Sequence, residues 1–257
     1  MAINVNTVYQ TVLLILNKEQ RGYITPNEFN KLATQVQLEI FEKYFEDLNQ
    51  QLRAPGFQDE YADRVDNIDE KISLFKTYAK VSYYNESPSG LIEDPYFFLP
   101  QDVHRIGTIM YKGEQEVQST DRRDYMNLYM SKLTRPTTNY PLYIQEGTVS
   151  PEDPLNPGVI LCDDCIRIYV YPEKINDKIN ISYIRKPANV VWNFTKGGLG
   201  QYIHSTLAPN QDFEISNQEQ TEVIIKILMY AGVVIRDPQI VQAAAAQSQA
   251  TEVNQKS

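Results

Sequence analysis

The chain has 257 residues, with 24 Lys and Arg against 33 Asp and Glu, and a formal net charge of −9. That length can bury a sizeable core as one large domain or two moderate ones, and the acidic balance argues against a main surface built to clamp nucleic acid. With 2 Cys and 2 His, most transition-metal sites and Cys/His nucleophiles lack their ligands or bases, and the one compositional skew is 18 Tyr against 9 Phe.

The first fifty-odd residues read as two helices. Val5, Val8, Tyr9, Val12, Leu13 and Leu16 recur at helical spacing, and Gly22 supplies a stop. Thr25-Pro26-Asn27-Glu28 is the best-marked helix start in the chain. Thr25 can cap, Pro26 suits the first helical position, and Glu28 sits where a capping-box acid reaches back to the cap's own N–H. The apolar stripe Phe29, Leu32, Val36, Ile40, Tyr44, Leu48 and Leu52 carries this helix to Pro55-Gly56. A third helix follows on Tyr61, Val65, Ile68, Ile72 and Phe75, with an acidic outer face of Asp63, Asp66, Asp69 and Glu70.

After Lys76 the period changes to two. Val81 and Tyr83 alternate with polar neighbours, and Val103 to Tyr111 and Pro141 to Gly147 are further strand candidates. Between those two, Asp121 to Lys132 reads as a short helix carrying Tyr125, Leu128 and Tyr129. A three-strand meander is expected from Gly158–Cys162, Cys165–Tyr171 and a strand through Ile179, Ile181 and Tyr183. Gly197 to Gln211 reads as a loop. Ser216 with Glu219 repeats the capping-box pattern and opens a helix to Ile235 that is apolar nearly all round, so neighbours should enclose it. Residues beyond Pro238 have little to bury.

The expected fold is therefore α+β. N- and C-terminal helices form a bundle body beside a mostly antiparallel β-rich domain, with an extended or helical C-terminal tail. The expected divisions are residues 1–77 for the helical body, 78–213 for the β-rich domain, 214–236 for a helix packing back on the body, and 237–257 for the tail. No stretch reads as a signal peptide or as a span long enough for a bilayer, so the expectation is a soluble chain made in the cytoplasm.

Short motifs give little chemistry. Cys162-Asp163-Asp164-Cys165 has the spacing of half a zinc site or a redox pair, but two further ligands are missing and a strand rather than a helix follows, so the bland reading is two small apolar residues flanking a hairpin turn. Lys196-Gly197-Gly198-Leu199-Gly200 lacks the Lys-Ser/Thr of a phosphate loop. Asp163, Asp164 and Glu173 near strand ends leave a metal-dependent nuclease or other hydrolase as a rival reading. Arg122, Arg123, Lys132, Arg135 and Arg185-Lys186, interleaved with Tyr125, Tyr129 and Tyr183, could stack a single strand or make a subunit contact. No catalytic residue, cofactor or metal site is expected.

Several patches resemble a family of tailed-bacteriophage virion proteins, especially those of crAss-like podoviruses. They are Leu16-Asn17-Lys18-Glu19-Gln20-Arg21-Gly22-Tyr23-Ile24-Thr25-Pro26-Asn27-Glu28-Phe29-Asn30, Leu99-Pro100-Gln101-Asp102, Val170-Tyr171-Pro172, Tyr183-Ile184-Arg185-Lys186-Pro187 with Trp192, and Asp212-Phe213-Glu214-Ile215. The layout is similar to podoviral head-to-tail adaptors, ring proteins beneath the portal. The resemblance implies a homo-oligomer closed into a ring of roughly a dozen copies. It also implies contact with the portal protein and further tail or ring proteins, and a lumen that passes double-stranded DNA without binding it specifically. No membrane partner is implied. Location in the virion neck or tail is expected, with assembly in the host cytoplasm. Within that reading Asp63, Asp66, Asp69 and Glu70 would face the lumen, and the tail residues Ile240, Val241, Ala243 and Gln247 would dock on the portal. A tail hub or fibre-adaptor component is the alternative inside the same class.

Overall fold

The computed structural model describes residues 2–18, 23–53, 60–84, 95–153, 156–173, 175, 178–198, 200–205, 209–234, 246 and 249. The tail residues Ile240, Val241, Ala243 and Gln247 lie outside them. The fold is α+β, as the sequence pattern predicts.

In chain order the elements are β1 (Ala2–Ile3), α1 (Val5–Lys18), α2 (Pro26–Arg53) and α3 (Glu60–Ser73). Then come β2 (Lys76–Lys80), β3 (Ser82–Tyr84), β4 (Tyr96–Phe98), β5 (Val103–Tyr111), β6 (Gln115–Glu116), β7 (Gln118–Ser119) and α4 (Arg122–Met130). They are followed by β8 (Leu142–Val149), β9 (Glu152–Asp153), β10 (Asn156–Ile160), β11 (Cys165–Tyr171) and β12 (Ile179–Arg185). The chain ends its described part with β13 (Phe194–Lys196), β14 (Tyr202–His204), β15 (Phe213–Ser216), a 3-10 turn (Asn217–Glu219) and α5 (Gln220–Val234). Two compact units result: Met1–Leu74 with Pro187–Ser257, and Phe75–Lys186.

In the first unit α2 packs on α3 and α5, and α1 packs on α5. The stripe read from sequence is the buried one, with Phe29, Val36, Ile40 and Tyr44 in the core. Thr25 and Glu28 form the expected box: the Thr25 N–H donates to Glu28 Oε2 at 2.9 Å, and the Glu28 N–H to Thr25 Oγ1 at 3.4 Å. The second box does not form. Ser216 makes no side-chain cap bond, and Glu219 is buried instead, accepting from Lys71 Nζ at 2.7 Å and from the Tyr44 hydroxyl. Those partners, Lys71 on α3 and Tyr44 on α2, draw the carboxylate towards the helix packing and away from the Ser216 N–H. The α5 helix does pack back on the body. Val223, Ile227 and Ala231 are buried, and Ile224, Ile225, Leu228 and Met229 are half-buried.

The boundary expected at 213 moves to 186, because a polar seam on α2 ties the chain that follows. Trp192 N–H donates to Asn30 Oδ1 (2.9 Å), and Asn30 Nδ2 donates back to the Trp192 carbonyl (3.3 Å). Val190 N–H donates to Thr34 Oγ1 at 3.1 Å. The fully buried Gln37 donates to the Ala188 carbonyl (2.7 Å) and accepts from the Glu214 N–H (2.9 Å). Asn30, Thr34 and Gln37 are spaced four and three apart, so they share one helix face, and that face satisfies the backbone of an extended strip. The Trp192 ring rests on Tyr9 with centroids 4.2 Å apart. Asp212 Oδ1 accepts the Val5 N–H at 2.9 Å, satisfying a donor at the start of α1. Residues 197 to 211 are more than a loop: β13 and β14 pair antiparallel across the glycine run, with the Gly197 N–H donating to the Gln201 carbonyl at 2.8 Å.

The second unit holds two larger sheets, ordered β3-β4-β11-β8-β7 and β2-β12-β5-β6, and the small two-stranded sheet β9-β10. Ile168 and Val170 from one sheet share a core with Ile179, Ile181 and Tyr183 from the other. The chain crosses between sheets at two buried valines. Val81 joins β2 to β3 and donates to the Ile179 carbonyl (3.0 Å); Val117 joins β6 to β7 and donates to the Ile109 carbonyl (2.8 Å). Each edge strand thus continues as the edge of the other sheet, which protects open edges. This arrangement overturns the expected meander. The three strands exist, but β10 pairs with β9, β11 with β4 and β8, and β12 with β2 and β5. Alternating apolar runs fix which residues face the core, not which strand lies alongside.

Two glycines are fixed by geometry. A Cβ at Gly107 would sit 2.6 Å from the Ser182 carbonyl oxygen, where β5 and β12 slip register. Gly147 has φ +59 in β8, opposite the register slip between Ile166 and Ile168 of β11. This is a left-handed position within a bulge.

Candidate interaction surfaces

Residues 121–140 leave the β-sheet between β7 and β8 and return to it. Pro136 is the one buried residue of that excursion, and α4 itself buries nothing. Two apolar groups lie on the short helix and the turn that follows it. The inner one uses Tyr125 and Leu128, both half-buried; the Tyr125 ring stacks on Tyr171 of β11 at 4.1 Å. The outer one, Met126, Met130 and Leu133, is exposed, joined by Tyr129 and Tyr140. Of the three residues singled out in sequence, Tyr125 and Leu128 are the inner pair and Tyr129 is exposed; Met126, Met130 and Leu133 were not singled out. The outer group's signal was the second apolar pair Met126 and Met130, four apart on the helix, since a helix with two apolar faces lying on a surface can cover only one.

The excursion is held in one shape. Arg122 Nε meets Glu146 Oε1 of β8 at 2.6 Å. The Arg135 guanidinium lies 4.3 Å from the Tyr129 ring centroid and its Nε donates to the Tyr129 carbonyl at 3.3 Å. Thr134 Oγ1 donates to the Leu128 carbonyl at 3.0 Å. Four of the basic residues singled out in sequence, Arg122, Arg123, Lys132 and Arg135, therefore share this excursion. Arg185 instead ends β12, with its guanidinium 6.0 Å from the Phe75 ring, and Tyr183 is buried with its hydroxyl donating to Asp102 at 3.0 Å. Burial, then the Asp102 carboxylate, pushes the Tyr183 phenol up to about 12.

A groove runs along α2 in the first unit. Gln35, Leu38, Glu42, Glu46, Asp47 and Gln50 line it, and Glu39, Lys43 and Lys226 also contribute to its wall. The ammoniums in it are already engaged. Buried Lys226 is paired with Glu39 and lies 3.9 Å from Glu222, Lys43 pairs with Glu222 at 3.2 Å, and the Tyr230 hydroxyl donates to Glu39 at 2.8 Å. Hydrogen bonding to that carboxylate, with burial, raises the Tyr230 phenol. Glu42 and Glu46 are exposed at its rim.

On α3, Asp66, Asp69 and Glu70 are exposed along the expected acidic face, while the side chain of Asp63 lies outside the described residues. Asp163 and Asp164 are used as turn acceptors. Ser150 Oγ donates to Asp163 at 3.0 Å and Thr148 Oγ1 to Asp164 at 3.2 Å. The cavity beside Glu173, walled by Tyr83, Phe97, Tyr169 and Ile175, contains neither aspartate. Cys162 and Cys165, with Cα atoms 5.9 Å apart, are joined as a disulfide around the same turn. Among the described residues no cluster of three or more His, Cys, Asp or Glu is placed to hold a metal ion, and no helix is long and apolar enough to cross a membrane. No protein-family model and no curated protein matches this chain.

Proposed function

We propose that this chain is a non-enzymatic structural protein of a tailed-phage virion, a ring-forming connector that joins head to tail beneath the portal. The observation that carries the reading is the layout. A β-rich unit of residues 75–186 is inserted into a helical unit built from both ends of the chain, which is the arrangement the adaptor resemblance implies. A ring that closes by rotation needs two different complementary faces on each subunit, and the chain has surfaces of opposite character in the basic apolar excursion and the acidic α2 groove. The exposed acids of α3, Asp66, Asp69 and Glu70, with Asp63 on the same helix, are assigned to the channel wall, where like charge keeps passing DNA from adhering. The tail from residue 239 to 257, with Ile240, Val241, Ala243 and Gln247, is assigned to the portal contact.

The test is quantitative mass spectrometry of purified virions, counting this chain against the portal protein. Equal copy number is the expected result. Absence of the chain from the virion refutes the reading and returns Asp163, Asp164 and Glu173 to consideration as hydrolase carboxylates. A truncated chain ending at residue 238 should keep its folded body and lose the ability to join the portal complex.

A further inference from the structure

We infer that the excursion of residues 121–140 seats in the α2 groove of a second copy of this chain, making the head-to-tail contact between neighbouring subunits. The choice of partner rests on the ring reading; the surfaces themselves do not.

Exposed apolar side chains scattered singly need no explanation. Here Met126, Tyr129, Met130, Leu133 and Tyr140 fall within one short segment, with Met130 82% and Leu133 97% exposed. Exposed apolar side chains gathered on one short segment in this way are what a contact surface carries. It is also ordered in advance. The Tyr125–Tyr171 stack, the Arg122–Glu146 ion pair and Arg135 over Tyr129 fix its shape. A partner therefore meets a surface whose conformational cost of ordering has largely been met in folding.

Charge selects the occupant. Arg123, Lys132 and Arg135, with Arg122 paired to Glu146, stand against Asp121 and Asp124 in the excursion, on a chain whose net charge is −9. In the groove, the carboxylates of Glu39, Glu42, Glu46 and Asp47 outnumber the ammoniums of Lys43 and Lys226. A projecting surface that is apolar and basic matches a concave one that is acidic, and a second copy supplies the concave one at the point of contact. A lipid or nucleic-acid phosphate would be drawn to the excursion but opposed by the charge of the rest of the molecule. Because the two faces differ, the contact is heterologous, so repetition by a closing rotation builds a ring.

The experiment is sedimentation velocity on the full chain over a wide concentration range, with two variants. One carries Met130→Asp and Leu133→Asp; the other carries Glu42→Lys and Glu46→Lys. All four positions are exposed, so thermal melts should match the unaltered chain. Self-association is expected in the unaltered chain and should weaken at least about tenfold in each variant. Mixing the two variants should give heterodimers, since one intact pair of faces remains. A chain that stays monomeric at every concentration overturns the inference, as does a groove variant that associates like the unaltered chain. It is equally overturned if the excursion variant keeps self-association but loses binding to anionic phospholipid vesicles or to single-stranded DNA. A virion count equal to the portal, found together with a monomeric purified chain, would leave the ring reading standing and refute this contact alone.

Discussion

Replacing Gln37 by Ala should be among the most damaging single changes in the helical unit. The Gln37 amide is fully buried and is bonded in both directions, to the Ala188 carbonyl at 2.7 Å and from the Glu214 N–H at 2.9 Å. Each bond contributes about 1 kcal/mol net, and a buried backbone group left without a partner costs about 1–3 kcal/mol. Two bonds lost together, partly relieved by water entering the gap, give an expected loss of about 3 kcal/mol. With a urea slope of about 2 kcal/mol per molar, the midpoint should fall by about 1.5 M. Trp192, the single tryptophan, lies in the same seam against Tyr9 and Asn30, so its fluorescence reports this unit directly. Gln50→Ala, exposed on the same helix, should shift stability by no more than about 0.5 kcal/mol. A Gln37→Ala loss below about 1 kcal/mol would refute the claim that the seam, rather than apolar packing alone, fastens residues 188–192 to α2.

Four other expectations follow from particular positions. Gly107→Ala should cost about 1–3 kcal/mol, since its methyl meets the Ser182 backbone carbonyl, and Gly147→Ala should cost about 1–2 kcal/mol because its φ is positive; circular dichroism melts showing either variant unchanged would remove the corresponding bulge from the account. The Tyr183 phenol titrates near 12 in the folded chain against 10 in the unfolded one. Its contribution is therefore complete below pH 10 and lost as pH rises towards 12, so Tyr183→Phe should flatten that part of the alkaline denaturation curve, and an unaltered curve would contradict the Asp102 bond. Reversing Asp66, Asp69 and Glu70 to Lys should leave folding intact, since all three are exposed, and slow genome ejection; normal ejection would remove the channel-wall assignment.

Periodicity and groups within a few residues of each other were enough for the α+β class, the positions of the five described α-helices, the strands with the clearest alternation and the Thr25–Glu28 box. Long-range packing settled the rest. Glu219 repeats the local pattern of Glu28, yet Tyr44 and Lys71, distant in sequence, take its carboxylate away from the helix start. Asn30, Thr34 and Gln37 read as polar helix positions until the strip from Ala188 to Trp192 is brought against them. Likewise β11 and β12 follow one another along the chain but enter different sheets, since strand pairing depends on long-range backbone bonds that alternation does not encode. The outer face of α4 was legible in the spacing of Met126 and Met130, but whether they turn inward depends on what lies beneath the helix, where the Tyr125 ring stacks on Tyr171 and Met126 and Met130 stay exposed.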